Sequence, residues 1–325
     1  MARLNQDIRL IMKCCAMYYY EGISQAAIAK SLGLSHPTVC RLIKQAKEEG
    51  IVQVQIINPN GEDDFTEIER KLEHKFGLKE VVISPDGMGD PDSEKREVGK
   101  ATAKYLARIL ERNDVVGLSM GTTLHAVPKM VDQPLNLGNI FVPILGGVGQ
   151  NNPEVHPNNL ASAFAASFGG ESRFLHAPAH ISSPVIKESL MQEKSVIDVM
   201  DYYDKLRVAV VGIGSPDKGT VLVETNYFSD DLIYNLYNDG MVGDICLQFF
   251  DINGSTDRYP VNQNSFGMEL HRLRNLPWSI GVATGTDKTK AVTGAIRAGY
   301  INVLIANYSL GQSILNFTQA TEQVQ

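Results

Sequence analysis

The stretch Gln25-Ala-Ala-Ile-Ala-Lys-Ser-Leu-Gly-Leu-Ser-His-Pro-Thr-Val-Cys-Arg-Leu-Ile-Lys44 decides how the N-terminal part of the chain is read. With Gln25 as the first position, the fifth is Ala29 and the ninth is Gly33. Two helices crossing closely need a small residue at the fifth place. A tight turn between them needs a residue that tolerates positive φ at the ninth. Ile28, Leu32, Leu34, Val39 and Leu42 then form a small shared core. Ser35 is suited to cap the third helix, and Pro37 falls in its first turn, where a missing N–H costs nothing. The spacing predicts a helix-turn-helix whose second helix enters a DNA major groove. His36, Thr38, Arg41 and Lys44 then lie on the open side. Ser24, Gln25 and Ser35 sit at helix starts, where phosphate contacts are made. Arg41 suits guanine, and Thr38 suits a thymine methyl or a phosphate. An ordinary helical hairpin with a polar face is the plain alternative.

Around this motif the pattern extends both ways. Ile8, Ile11, Met12 and Cys15 recur at helical spacing from Ile8 to Met17, and further helices fit Ser24–Leu32 and Ser35–Glu49, ended by Gly50. Val52, Val54 and Ile56 alternate with Gln53 and Gln55, which suggests a strand and a winged variant. Asn58-Pro59-Asn60-Gly61 breaks structure, and Glu62-Asp63-Asp64 is acidic. The expected division is therefore a DNA-binding domain over 1–57, a linker with a helix over 58–77 (Phe65–Phe76), and a larger domain over 78–325.

The net charge of −7 argues against nucleic acid, but its distribution does not. Residues 1–57 carry Arg3, Arg9, Lys13, Lys30, Arg41, Lys44 and Lys47 against Asp7, Glu21, Glu48 and Glu49, a charge of 7 − 4 = +3. The remainder is −7 − 3 = −10. A basic head on an acidic body fits a DNA reader joined to a sensor, although a chance fluctuation gives the same sum. At 325 residues and 43% hydrophobic the chain is long enough for two folded domains. No run is long enough to span a bilayer, so a cytoplasmic protein without a membrane partner is expected. Cys14, Cys15, Cys40 and Cys246 lack metal-ligand spacing and read as small, reduced core residues.

Beyond Leu78, apolar runs (Val81–Ser84, Val115–Ser119, Ile140–Leu145, Val208–Ile213, Ile245–Phe250, Ser279–Ala283, Val303–Ala306) alternate with helical stretches (Lys95–Leu110, Thr122–Met130, Leu160–Phe168, Pro184–Gln192, Lys288–Ala298). That order predicts an α/β fold, a Rossmann-like parallel sheet covered on both faces. Ligands in such sheets bind beyond the carboxyl ends of the strands. Three glycine junctions fall there: Gly117-Leu-Ser-Met-Gly-Thr-Thr-Leu124, Ile144-Leu-Gly-Gly-Val148 and Gly281-Val-Ala-Thr-Gly-Thr-Asp-Lys288. Gly121 lets backbone approach a ligand, and Thr122 and Thr123 offer donors at a helix start. Lys288 can pair a phosphate held there. Taken singly, each junction also fits ordinary strand-to-helix turn chemistry.

Other chemistries find little support. Gly212-Ile-Gly214 lacks the third glycine of a dinucleotide site, and Lys288-Thr289 lacks the glycines of a Walker loop. His176 and His180 have Pro178 between them, so no metal site is expected. No nucleophile elbow and no catalytic residue set is seen, and no cofactor is called for. Asp244, Asp251 and Asp257 read as turn residues or acceptors for sugar hydroxyls.

Taken together, the chain resembles the SorC family of sugar-responsive transcription regulators over nearly its whole length. The head resemblance lies in Tyr19-Tyr-Glu-Gly-Ile-Ser-Gln-Ala-Ala-Ile-Ala29 and Leu34-Ser-His-Pro-Thr-Val-Cys-Arg-Leu42. In the body it lies in Gly121-Thr-Thr, Leu145-Gly-Gly, Val211-Gly-Ile-Gly-Ser215, Val242-Gly-Asp-Ile-Cys-Leu-Gln-Phe-Phe-Asp251 and Lys288 with the helix after it. The resemblance implies a sensor similar to sugar-phosphate isomerases and deaminases, a phosphorylated sugar effector, double-stranded operator DNA as partner, and a homotetramer. It implies a phosphate site at Gly121, Thr122, Thr123 and Lys288, with Gly146 and Gly147 beside it and Asp244 accepting from sugar hydroxyls. Two departures stand out. Leu145 stands where some members carry an imine-forming lysine, so no covalent effector is expected. Asn307-Tyr308 stand where many members show Asp-Glu, which implies an atypical effector.

The leading expectation is thus an effector-gated regulator. A sugar-phosphate isomerase or deaminase with an added DNA-binding head is the alternative, and it lacks an identifiable base. A protein that only bridges DNA would not need so large a body.

Overall fold

The computed structural model describes residues 7–54, 64–148, 153–216 and 228–322. The chain divides into two compact units, Met1–Glu62 and Asp63–Gln325. The expected break at 57–58, with Asn58–Gly61, falls outside the described residues.

The first unit holds three helices: α1 (Ile8–Tyr19), α2 (Gln25–Leu32) and α3 (His36–Glu48). The side chains of Asp7, Ser24 and Ser35 cap them, accepting from the backbone N–H groups of Leu10, Ala27 and Thr38. Gly33 ends α2 with φ 66°, the left-handed turn expected of the ninth motif position. Ile28, Ala29, Val39, Leu42, Ile43 and Ala46 close onto Ile11, Cys14 and Cys15, with Leu32 and Leu34 half-buried at the edge. The apolar stripe of α1 is only partly the expected one. Ile8 and Met12 are 59% and 56% exposed, and Cys14 takes the inward place. The expected wing strand is not seen over 51–54, which form bends and irregular backbone. Gln55 and Ile56 lie outside the described residues.

The second unit is a seven-stranded parallel sheet in the order β1-β9-β8-β5-β2-β3-β4. The strands are β1 (Glu80–Ser84), β2 (Val115–Leu118), β3 (Ile140–Pro143), β4 (Glu171–Ser172), β5 (Leu206–Gly212), β8 (Trp278–Ala283) and β9 (Val303–Asn307). Alternate residues serve opposite faces. Val208 and Val210 join one core with Val116, Leu118, Phe141, Phe164 and Phe168, while Ala209 and Val211 join the other with Ile144, Leu304 and Leu310. Helices α5 (Pro91–Ile109), α6 (Thr122–Ala126) and α7 (Pro157–Phe168) belong to the first of these faces. Helices α4 (Thr66–Phe76), α10 (Asp230–Asn238), α11 (Thr289–Arg297) and α12 (Tyr308–Glu322) belong to the second. Short helices α8 (Pro184–Met191) and α9 (Lys194–Met200) lie between β4 and β5 in sequence. After β4 the chain returns to place β5 beside β2, then builds outward in the other direction through β8 and β9. The strand order therefore reverses between β2 and β5, the place where sheets of this kind hold ligands, outside the carboxyl ends of the strands.

One expected strand is wrong. Ile245–Phe250 is a hairpin turn, with β6 (Met241–Ile245) antiparallel to β7 (Gln248–Asp251). Cys246 and Leu247 at its tip have φ of 55° and 56°. Such a turn ordinarily announces itself by Asn-Gly. Here tertiary bonds hold it instead: Leu247 N–H donates to Asp244 Oδ2 at 3.1 Å, and the Ser265 hydroxyl donates to Leu247 C=O at 2.8 Å. The expected helix Thr122–Met130 breaks at Val127-Pro128 into α6 and a single 3₁₀ turn. Lys288 closes a 3₁₀ turn, Thr286–Lys288, and α11 starts one residue later than expected.

Candidate functional site

In the first unit α3 presents His36, Arg41 and Lys44 exposed, with Thr38 half-buried beside them. Arg41 and Lys44 are three residues apart and share a face. Lys44 forms only an exposed pair with Glu48 at 3.6 Å, which leaves it able to exchange partners. The capping hydroxyls of Ser24 and Ser35 accept from backbone at 3.3 Å, so their own hydrogens remain available as donors. Ser35 Oγ lies 2.8 Å from Thr38 Oγ1. Cys40 departs from its expected core role. It is half-buried, and its thiol donates to Gln25 Oε1 at 2.8 Å, joining α3 to the start of α2. The other three cysteines are buried.

In the second unit Gly121, Thr122, Thr123, Asp244 and Lys288 stand near the carboxyl ends of β2, β5 and β8, through the following contacts. Ser119 N–H donates to Val210 C=O, and Gly212 N–H donates to Ser119 Oγ at 2.9 Å. The loop after β2 thereby crosses the end of β5. A Cβ on Gly212 would lie 2.7 Å from Met120 O, so only glycine admits that crossing. Gly121, at φ 146°, sits directly over Gly212 and opens α6 with Thr122 half-buried and Thr123 buried. Two residues beyond Gly212, Gly214 exchanges backbone hydrogen bonds with Asp244 at 2.9 and 3.2 Å.

Asp244 is 4% exposed. Its Oδ2 accepts from Leu247, while its Oδ1 is buried without a hydrogen-bond partner. Burial pushes its carboxyl up to about 6, against the opposing pull of the Leu247 N–H and Lys288. Burial likewise lowers the half-buried Lys288 ammonium, opposed by Asp287 and Asp244 and reinforced by Lys95 of α5. Ser215 Oγ reaches Asp287 Oδ2 at 3.3 Å. The result is a cation, a buried carboxylate and a glycine-floored loop at one strand end. That set of groups can clamp a small anion that also carries hydroxyl groups.

Gly146 and Gly147 are arranged otherwise. Their N–H groups donate to Phe266 C=O and Ala177 C=O at 2.8 and 2.7 Å. A Cβ on Gly146 would meet Pro178 O at 2.4 Å, and one on Gly147 would meet His156 Nε2 at 2.6 Å. Both glycines are spent on close packing at the end of β3. Leu145 is 1% exposed and apolar, as its sequence position implied. His176 and His180 form no metal-holding group among the described residues. Ser119, Ser215, Asp287 and Lys95 were missed in the sequence. Ser119, Ser215 and Asp287 lie inside the glycine motifs quoted above without being singled out there, whereas nothing local marks Lys95.

A separate open groove of about 1340 Å³ runs past Lys187, Gln248, Tyr259, Arg272 and Arg274, and none of the predicted effector residues lines it. Its cations are already engaged. Lys187 donates to the Gln263 and Ser265 carbonyls, Arg272 pairs with Asp204, and Arg274 lies over the Tyr300 ring. The unsatisfied carboxylate oxygen and the crossing glycines lie at the ends of β2 and β5, which makes that end of the sheet the candidate site.

Comparison with known proteins agrees with both units. Residues 63–316 match the sugar-binding domain family, and residues 7–55 match the homeodomain-like domain family. The sorbitol operon regulator of Klebsiella pneumoniae is 33% identical over 96% of this chain and 99% of its own length. The crystal structure of that full-length regulator superposes with a TM-score of 0.73, covering 95% of this chain and 99% of the other. The deoxyribonucleoside regulator of Bacillus subtilis is 28% identical, over 95% of this chain and 97% of its own length. No helix among the described residues is long and apolar enough to cross a membrane.

Proposed function

The chain belongs to the SorC family of sugar-binding transcription regulators, and from that premise we propose that a phosphorylated sugar or polyol gates its hold on operator DNA. The relatives are named as a sorbitol operon regulator and a deoxyribonucleoside regulator, so the role is regulatory rather than catalytic. In this reading α3 reads double-stranded DNA in the cytoplasm through His36, Thr38, Arg41 and Lys44, with Ser24, Gln25 and Ser35 on phosphates. The effector phosphate lies between the Gly121-Thr122-Thr123 backbone and Lys288, and Asp244 accepts from a hydroxyl. Gly146 and Gly147 shape the neighbouring wall without donating to the ligand. The observation that carries the reading is the buried Oδ1 of Asp244, unpartnered against the backbone of Gly214, with Lys288 near enough to act on its charge. A buried acceptor in that condition is costly and is satisfied by a ligand donor.

A homotetramer fits the proposal, because paired heads reading paired half-sites need a symmetric assembly. Regulation then requires the effector to bind two arrangements of that assembly with different affinity. The test is a thermal-shift screen of sugars, sugar phosphates and polyol phosphates on the native chain and Lys288→Ala, with light scattering for the assembly. Binding to the folded state raises the melting temperature by mass action. A rise with one phosphorylated compound that Lys288→Ala abolishes supports the site. A rise only with unphosphorylated sugars, kept in the variant, overturns the phosphate assignment and leaves the DNA-reading head intact.

A further inference from the structure

We propose that Asn307 is a positioning residue that ties the Lys288-bearing turn to α4, the first helix after the segment joining the two units. The inference rests on the effector reading above and adds how occupancy of that site is felt elsewhere. Asn307 ends β9 and is 1% exposed. Its Oδ1 accepts from Gly285 N–H at 3.2 Å, and Gly285 opens the Thr286–Lys288 turn. Its Nδ2 donates to Asp86 Oδ1 at 2.7 Å. Asp86 stands just past the end of β1. It also takes the N–H of Ser309 at 2.9 Å and the hydroxyl of Ser309 at 2.6 Å.

From β1 the connection continues into α4. One edge of β1 pairs with β9, Ser84 lying opposite Asn307. The other edge faces α4. Val81 N–H donates to Glu73 Oε1 at 3.0 Å and Ile83 N–H to Glu69 Oε1 at 2.8 Å. Two carboxylates one helical turn apart thus stand in for the missing neighbouring strand. A second route starts from the residue after Asn307. The Tyr308 ring lies 5.3 Å from that of Phe65, which immediately precedes α4. A Cβ on Gly311 would meet the side chains of Ile83, Ile68 and Leu72 at 2.8, 3.4 and 3.6 Å, so α12 seats directly on α4 and β1.

The linkage needs asparagine in particular. One side chain must accept from Gly285 and donate to Asp86 at the same time; the carboxamide does so from two separate atoms, Oδ1 and Nδ2, which a carboxylate of the same shape cannot. An aspartate there would set two carboxylates against each other. A ligand that draws the Thr286–Lys288 turn toward the site pulls on Asn307, and through Asp86 and β1 on the two carboxylates of α4.

The test is amide hydrogen exchange on the full chain and on Asn307→Ala and Asp86→Ala, each with and without inorganic phosphate. Without phosphate, Asn307→Ala is expected to speed exchange roughly tenfold at residues 285–288 and at Val81 and Ile83, as for loss of one or two buried bonds. Strands β2 and β5 should stay protected. Asp86→Ala, at an exposed position and so tolerated by the fold, should loosen Val81, Ile83 and α4 while Gly285 remains protected. If either variant loosens only its own bonding partner and leaves Val81 and Ile83 unchanged, the relay is overturned. The phosphate arm separates the two ideas. Phosphate protecting 285–288 in the native chain but failing to alter α4 also overturns the relay. Absence of any protection at 285–288 counts against the anion site, and the relay is then decided by the comparison without ligand.

Discussion

Gly214 and Asp244 interlock, because Oδ1 of the aspartate occupies the space where a side chain at 214 would begin. A Cβ there would lie 2.0 Å from that oxygen. The two backbones exchange hydrogen bonds across the same contact. A single methyl at 214 must therefore push the carboxylate aside. Gly214→Ala is expected to lower effector affinity by at least tenfold and to destabilise the unit by about 1–3 kcal/mol, a typical overpacking cost. Calorimetric titration and chemical denaturation measure the two effects. Unchanged affinity would place Asp244 outside the ligand site.

The raised carboxyl of Asp244 gives the stability a definite pH dependence. Its folded value of about 6 lies above the ordinary 3.8, so between those values the folded chain keeps a proton that the unfolded chain has released. The contribution of this group is therefore greatest below about pH 4, falls as pH rises to about 6, and is flat above that. Asp244→Asn removes the ionisation. The variant should gain on the order of 2 kcal/mol relative to the native chain between pH 4 and pH 7. Denaturant midpoints for both proteins across that range test it. Parallel curves would show that the carboxyl titrates normally.

Arg41 and Lys288 should separate the two activities. Arg41→Ala is expected to weaken operator binding by about 5- to 150-fold, the range for one bidentate base contact, and to leave effector-induced melting shifts intact. Lys288→Ala should lose the melting shift and keep operator binding in the absence of effector. Gel-shift and thermal-shift assays on the same preparations give the comparison. Loss of both activities in both folded variants would refute the division of labour.

Stability of the sheet should depend strongly on Arg207. Its guanidinium spans Asp114, with Nε to Oδ1 at 2.6 Å and Nη2 to Oδ2 at 2.5 Å, and Asp114 is 7% exposed. Arg207→Ala strands a buried carboxylate and is expected to cost about 3 kcal/mol. Adding Asp114→Asn should recover much of the loss. Urea titration of the single and double variants checks this, and a loss under about 1 kcal/mol would mean solvent reaches Asp114 freely.

Sequence alone settled what depends on local spacing. Ala29 and Gly33 fixed the helix-turn-helix, because a close helix crossing and a left-handed turn each admit few residue types. Apolar runs alternating with helical stretches fixed the parallel sheet, since strands buried on both faces are mostly apolar. The junctions at Gly121 and Gly285 were legible because strand-to-helix turns carry glycines at known offsets.

Tertiary structure decided what depends on residues far apart in the chain. The Cys246–Leu247 turn has no local turn signal and exists because Asp244 and Ser265 hold it. Gly146 and Gly147 looked like ligand glycines, yet their N–H groups were claimed by Phe266 and Ala177. Asn307 looked like a gap in a family motif until Asp86, 221 residues away, supplied its partner. A hydrogen bond is set by distance and direction in space, and spacing along the chain reports those only within a turn or a helix.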